Sequence, residues 1–163
     1  MSDTSQSNRA IDLLLAEYGE SHQNPTNKMI HWIAVPTIFW TVVAFLWSLP
    51  VPAFMVSMPM VNWATICLAL MVVYYVILSV PLAIGMLVFS LFCIGGILIY
   101  EALVSSFPLW KTALILFVIA WIAQFYGHKI EGKKPSFFKD IQFLMVGPAW
   151  LMAFVFRRFG IGY

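Results

Sequence analysis

The chain has 163 residues, of which 62% are hydrophobic and only 10% charged, whereas an ordinary soluble domain is about 45–50% apolar and about 25% charged. No Asp, Glu, Lys or Arg occurs in the 72 residues between Lys28 and Glu101, which predicts an all-α integral membrane protein forming a single membrane domain over 1–163. A net charge of +2 without clustered Lys and Arg leaves no footprint for nucleic acid. Two cysteines, Cys67 and Cys93, lie in apolar runs and are expected to be buried thiols, not a disulfide scaffold.

The polar, mixed-charge start lacks the basic-then-apolar order of a cleavable signal peptide, so it is expected to be retained. Ile11, Leu14, Leu15 and Tyr18 recur at helical spacing with Asp12, Glu17 and Glu20 between them. This predicts a short amphipathic helix over 8–20, capped by Asn8 and packed on the protein. His22 to Lys28 reads as a polar turn directed by Pro25. The first predicted span covers about 29–49, enough residues for a hydrocarbon core of about 30 Å, with Pro36 inside it and Trp32, Trp40 and Trp47 spread toward its ends. An uncharged loop follows to Pro59. The run from Val61 to Tyr100 is long enough for two spans, placed at 61–79 and 83–103 with the break at Pro81. Gly85, Gly95 and Gly96 would allow close helix approach. A fourth span is predicted at about 112–127, before the polar patch 127–135. The last apolar stretch, 141–156, contains Gly147 and Pro148 and is short for a span. A re-entrant, interfacial or fifth spanning helix is expected there.

Four spans before Lys129 put the N-terminus and the 127–140 segment on one side. Arg9, Lys28, Lys129, Lys133, Lys134 and Lys139 lie there, against Lys111 on the other. The excess turns this face toward the cytoplasm. Arg157 and Arg158 strengthen the bias if the last helix does not cross.

The three histidines of the chain, His22, His31 and His128, all fall at this one boundary, although the last two are 97 positions apart. Asn27 and His31 are four apart, and His128 and Glu131 three apart, so each pair shares a helix face. Tyr18 bears the same relation to His22, and Gln124 precedes His128 by one turn inside the fourth span. Imidazole nitrogens with a carboxylate or water suit iron, zinc, nickel or copper. Glu131, Gln124 and Asn27 are the available partners for the second ring nitrogens, and Glu131 could alternatively be a ligand. No cysteine reaches this face for a thiolate zinc site, and no G-x-S-x-G setting marks a serine nucleophile. The lysines near His128 set topology, and Lys129 and Lys133 could also hold the carboxylate of an amphiphilic substrate. Two other classes fit the same face: a non-enzymatic membrane assembly or interaction protein, and a zinc-dependent membrane lipid hydrolase. Only the former does without converging imidazoles.

Two blocks carry a family resemblance. Tyr18-x3-His22-x-Asn24-Pro25-x-Asn27-x3-His31-x4-Pro36 and Ala120-Trp-Ile-Ala-Gln-Phe-Tyr-Gly-His128-x2-Glu131-Gly-x2-Pro135 resemble the two signatures of the yeast-type 2-hydroxy fatty acid dioxygenase family, with Gln142 and Pro148 near a further helix of it. Ala34 departs from the glycine common there. The resemblance implies an Fe(II)-dependent enzyme that converts a long-chain 2-hydroxy fatty acid and O2 to the acid one carbon shorter, without 2-oxoglutarate. It implies His22, His31 and His128 as iron ligands, with Tyr18, Asn27, Gln124 and Glu131 as further site residues. The expected partners are substrate, O2 and the lipid bilayer, with no protein partner. The expected location is a bacterial inner membrane or, in a eukaryote, the endoplasmic reticulum.

Overall fold

The computed structural model describes residues 9–58, 60–104, 106–132 and 137–163, and only the backbone of 137–143. Among the described residues the fold is entirely helical, with helices α1 (Ala10–Glu20), α2 (Pro25–Trp47), α3 (Ala53–Val56), α4 (Trp63–Leu78), α5 (Val80–Leu103), α6 (Leu109–Glu131) and α7 (Phe137–Arg158). Three of them, α2, α5 and α6, are long and apolar enough to cross a membrane. α4 is apolar but has 16 residues, about 24 Å at 1.5 Å per residue, short of the hydrocarbon thickness of about 30 Å.

Local chemistry explains where the helices depart from expectation. α1 starts at Ala10 with Arg9, not Asn8, in the N-cap position; Arg9 instead pairs with Asp12 at 2.8 Å. α2 starts at Pro25, before the predicted Met29. Asn24 caps it by accepting from the backbone N–H groups of Thr26 and Asn27, and a proline in the first helical position needs no N–H partner and has its φ already set. The presumed turn is thus the first helical turn, and Asn27 and His31 stand on one buried face. The predicted loop before Pro59 contains the short α3. The hairpin break falls at Ser79, two residues before Pro81, with extended backbone there (φ −167°, ψ 114°). Ser79 ends α4 and caps α5, and Pro81 occupies the first turn of α5, where proline is tolerated. α6 runs past Gly127 to Glu131 and stops where Gly132 adopts a left-handed conformation, φ 73°, a common helix terminator.

The most extensive interface is between α2 and α6. The helices are antiparallel: Glu131 meets Asn24 at one end, and the Phe45 and Phe117 rings lie 6.0 Å apart toward the other. α5 runs parallel to α2, with Phe39 against Phe89, Trp40 against Gly96 and the Trp47 indole donating to Glu101. Ile11, Leu15 and Tyr18 bury the inner face of α1 against α7, which runs antiparallel to it. α7 also meets the early part of α2 through Trp32, the last turn of α4 through a Tyr75 hydroxyl bond to the Met145 carbonyl, and the start of α5 at Gly85. A methyl at Gly85 would sit 2.8–2.9 Å from Met152 and Phe156, so this glycine lets α7 pack close. Gly95 faces open space, and Cys67 is exposed, unlike the buried Cys93. Gly95 and Cys67 sit on helix faces turned from the core, which apolar surroundings tolerate. The N-terminus of α2, the C-termini of α4 and α6 and the helices α1 and α7 gather at one end of the bundle.

Candidate metal centre

His22 lies in the short connection between α1 and α2, His31 two turns into α2, and His128 in the last turn of α6. Antiparallel packing of α2 on α6 brings the two helical histidines level, and α1 delivers the third. Their ring centroids are 4.3, 5.3 and 5.0 Å apart. One ring nitrogen from each lies within 4.8 Å of the others. Three nitrogens on one ion at M–N distances of about 2.1 Å lie about 3.0–3.6 Å from one another, so the rings would have to draw together to close the set.

The orientation of two rings is fixed from behind. His22 Nδ1 is 2.6 Å from the Tyr18 carbonyl and His31 Nδ1 is 2.9 Å from the Asn27 carbonyl, each one helical turn back. A carbonyl accepts only, so each Nδ1 carries the proton and each Nε2 keeps its lone pair, the tautomer a metal requires. Among the described residues His22 Nε2 is buried without a hydrogen-bond partner, a costly arrangement that a ligated cation would relieve. The residues present therefore fit a divalent transition metal, held by three neutral imidazoles. Burial lowers the His22 pKa from 6.5 to about 4, against the opposing effect of its bond to Tyr18.

That shift has a consequence for the metal-free protein. Between pH 6.5 and 4 the unfolded chain takes up a proton at His22 and the folded one does not, so stability falls as pH falls through this window. A metal-free His22→Gln variant is expected to lose less of its thermal midpoint between pH 7 and 4 than the wild type, measured by melting in detergent. Equal losses would show that His22 is not buried neutral.

The surrounding predicted residues are close, with distinct contacts. Tyr18 stacks on His22 at 4.2 Å with planes 10° apart. Asn27, wholly buried, donates through Nδ2 to the Ser21 carbonyl and to Glu131, while its Oδ1 has no partner among the described residues. Glu131 accepts from the Gln23 and Asn24 backbone N–H groups as well. Gln124 is half-buried in α6 one turn before His128, and no hydrogen bond joins it to another described residue. Lys129 is exposed beside His128. Lys133 lies outside the described residues, as do the side chains of Lys139 and Gln142.

The sequence reading missed Trp150 of α7. Its ring lies 5.4 Å from His22 and 5.3 Å from Tyr18, closing the side of the site away from α6. Gly127 and Gly147 were missed as well. A methyl on Gly127 would run into Asn27 Oδ1, and one on Gly147 would lie 3.0 Å from the Tyr18 hydroxyl and 3.3 Å from Val35. The Gly147-Pro148 pair in an apolar run was the available signal for a close approach.

Comparison with known proteins is consistent with this geometry. The yeast (Saccharomyces cerevisiae) 2-hydroxy-palmitic acid dioxygenase MPO1 is 28% identical over 146 residues, covering 88% of this chain and 78% of the relative. No solved structure matches. The family model described as 2-hydroxy-palmitic acid dioxygenase Mpo1-like matches residues 9–159, both histidine blocks included, and the chain belongs to this Mpo1-like family.

Proposed function

We propose that this protein is a membrane-embedded Fe(II)-dependent dioxygenase that shortens a long-chain 2-hydroxy fatty acid by one carbon. The observation that carries the reading is the convergence of His22, His31 and His128, two of them with Nε2 presented by a backbone-anchored Nδ1. The yeast relative's activity on 2-hydroxy-palmitic acid supports the substrate class.

The reaction balances without a cosubstrate. A 2-hydroxy acid and O2 give the acid one carbon shorter, CO2 and water, and the substrate supplies all four electrons. Iron(II), when bound, supplies the electron-transfer and Lewis-acid chemistry that O2 and a 2-hydroxycarboxylate need. His22, His31 and His128 would hold it. With only three protein donors, such a site would leave the ion accessible to the substrate and O2. Tyr18 and Trp150 wall His22 on the side away from α6 and keep its ring from turning. Lys129, and Lys133 beyond the described residues, offset the carboxylate charge. Gln124, on the membrane side of His128, orients the substrate's polar end, and the acyl tail follows the apolar surface of the spans. Arg9, Lys28, Lys129, Arg157 and Arg158 share the histidine end with α1 and α7, which turns the site toward the cytoplasm with α7 not crossing.

The test is anaerobic purification in detergent, metal analysis, and incubation of the Fe(II) form with 2-hydroxy fatty acids of several lengths, with and without O2. The expected result is one O2 consumed per acid shortened, and loss of activity on chelation that Fe(II) restores. Absence of oxygen-dependent carbon loss at every length would overturn the assignment. Oxygen-independent hydrolysis with zinc would replace it with the hydrolase.

A further inference from the structure

Glu131 is bonded unlike a surface carboxylate at a helix end. Oε1 accepts from Gln23 N–H at 2.8 Å, and Oε2 accepts from Asn24 N–H at 2.9 Å and Asn27 Nδ2 at 3.0 Å. All three donors are more than a hundred positions away in sequence. Gln23 and Asn24 lie at the start of α2, where backbone N–H groups have no partner within the helix and where a negative charge is favoured by the helix dipole.

Two of the three donors adjoin a histidine of the site. Gln23 follows His22 in sequence. Asn27 supplies the carbonyl that holds His31 Nδ1. Glu131 itself lies three residues beyond His128 on α6. From this we infer that Glu131 is a positioning residue: its carboxylate ties the end of α6 to the start of α2 and so sets the separation of His128 from His22 and His31, without being a ligand. Among the described residues, the side chains near enough together to share one ion are the three histidines, and Glu131 is not of that set. The inference rests on reading the three histidines as a metal site, and among the described residues it assigns the metal's ligands to imidazole alone.

The experiment uses the full chain in detergent, metal-free, titrated with cobalt(II), whose visible ligand-field spectrum reports its ligands. Glu131→Gln keeps the shape but replaces one acceptor oxygen by a donor. Glu131→Asp keeps the charge but is one methylene too short to make all three bonds. Both variants are expected to bind cobalt about 10- to 100-fold more weakly, as loss of an outer partner of a ligand does. At saturating cobalt both should show the wild-type spectrum, because the three nitrogens remain. A changed saturated spectrum would make Glu131 a ligand. Wild-type affinity in Glu131→Asp with weak binding in Glu131→Gln would mean that charge, not position, is what matters. Wild-type affinity in both would remove Glu131 from the site. Failure of the underlying metal reading has its own signature: His31→Ala would then bind cobalt as the wild type does.

Discussion

Replacing His31 by alanine is expected to abolish oxygen-dependent turnover and to weaken Fe(II) or Co(II) binding by more than the roughly 10- to 100-fold that loss of an outer partner costs. The reason lies in the burial and anchoring of this ring. His31 is 1% exposed, lies closest to His22 and takes its orientation from the Asn27 carbonyl. No other titratable or metal-binding side chain among the described residues stands in its place. His22→Ala and His128→Ala are expected to behave alike, since a site of three donors drops to two in each case. The fold should survive, because α2 and α6 remain joined through Ala34, Ile38 and Ala120 and through the Glu131 contacts. The measurements are metal stoichiometry and turnover of each purified variant, with circular dichroism to confirm the helical content. Wild-type turnover in any one of them would remove that histidine from the catalytic set. Partial recovery of the His31→Ala variant with added imidazole is the expected complement, since the space it leaves is bounded by groups that hold their positions without it.

The topology of the site was legible because it follows from counting. Apolar runs between Lys28 and Glu101 and before Gly127 returned the chain to the side it left, which is all that the pairing of His31 with His128 requires. The start of α2 was misread because Pro25 signals a turn and a first helical residue with equal force. Only the neighbouring Asn24 cap separates the two, by satisfying the N–H groups of Thr26 and Asn27. The same difficulty displaced the α4–α5 break: a serine in extended conformation ends one helix and caps the next, and Pro81 merely follows it. The role of Glu131 was illegible for another reason. Its partners are two backbone N–H groups and an amide far away in sequence, and backbone donors leave no pattern in side-chain spacing. Trp150 was hidden by a composition in which seven tryptophans are most simply explained by membrane interfaces. Its position against His22 depends on how α7 lies on α1, a tertiary matter.

Gly127→Ala is the substitution for which position should most clearly override propensity. In an open helix interior alanine is favoured over glycine by about 1 kcal/mol, and Gly95→Ala in α5, where nothing lies within 4 Å of the added carbon, is expected to be neutral or stabilising. At Gly127 the added carbon runs into Asn27 Oδ1 and lies 3.5 Å from His31 Cε1. Asn27 cannot swing aside without breaking its bonds to Ser21 and Glu131, so the strain passes to the α2–α6 contact. Overpacking of this kind costs about 1–3 kcal/mol, and here it also displaces the turn whose carbonyl orients His31. A lower thermal midpoint together with weaker cobalt binding is expected, measured in detergent beside Gly95→Ala. The Gly127→Ala/Asn27→Ala double variant should lose less stability than the sum of the two single losses, because removing the amide makes room for the methyl. If Gly127→Ala matched Gly95→Ala in both measurements, the close approach of α6 to Asn27 would not hold in the folded protein, and the histidines would have to be brought together by other contacts.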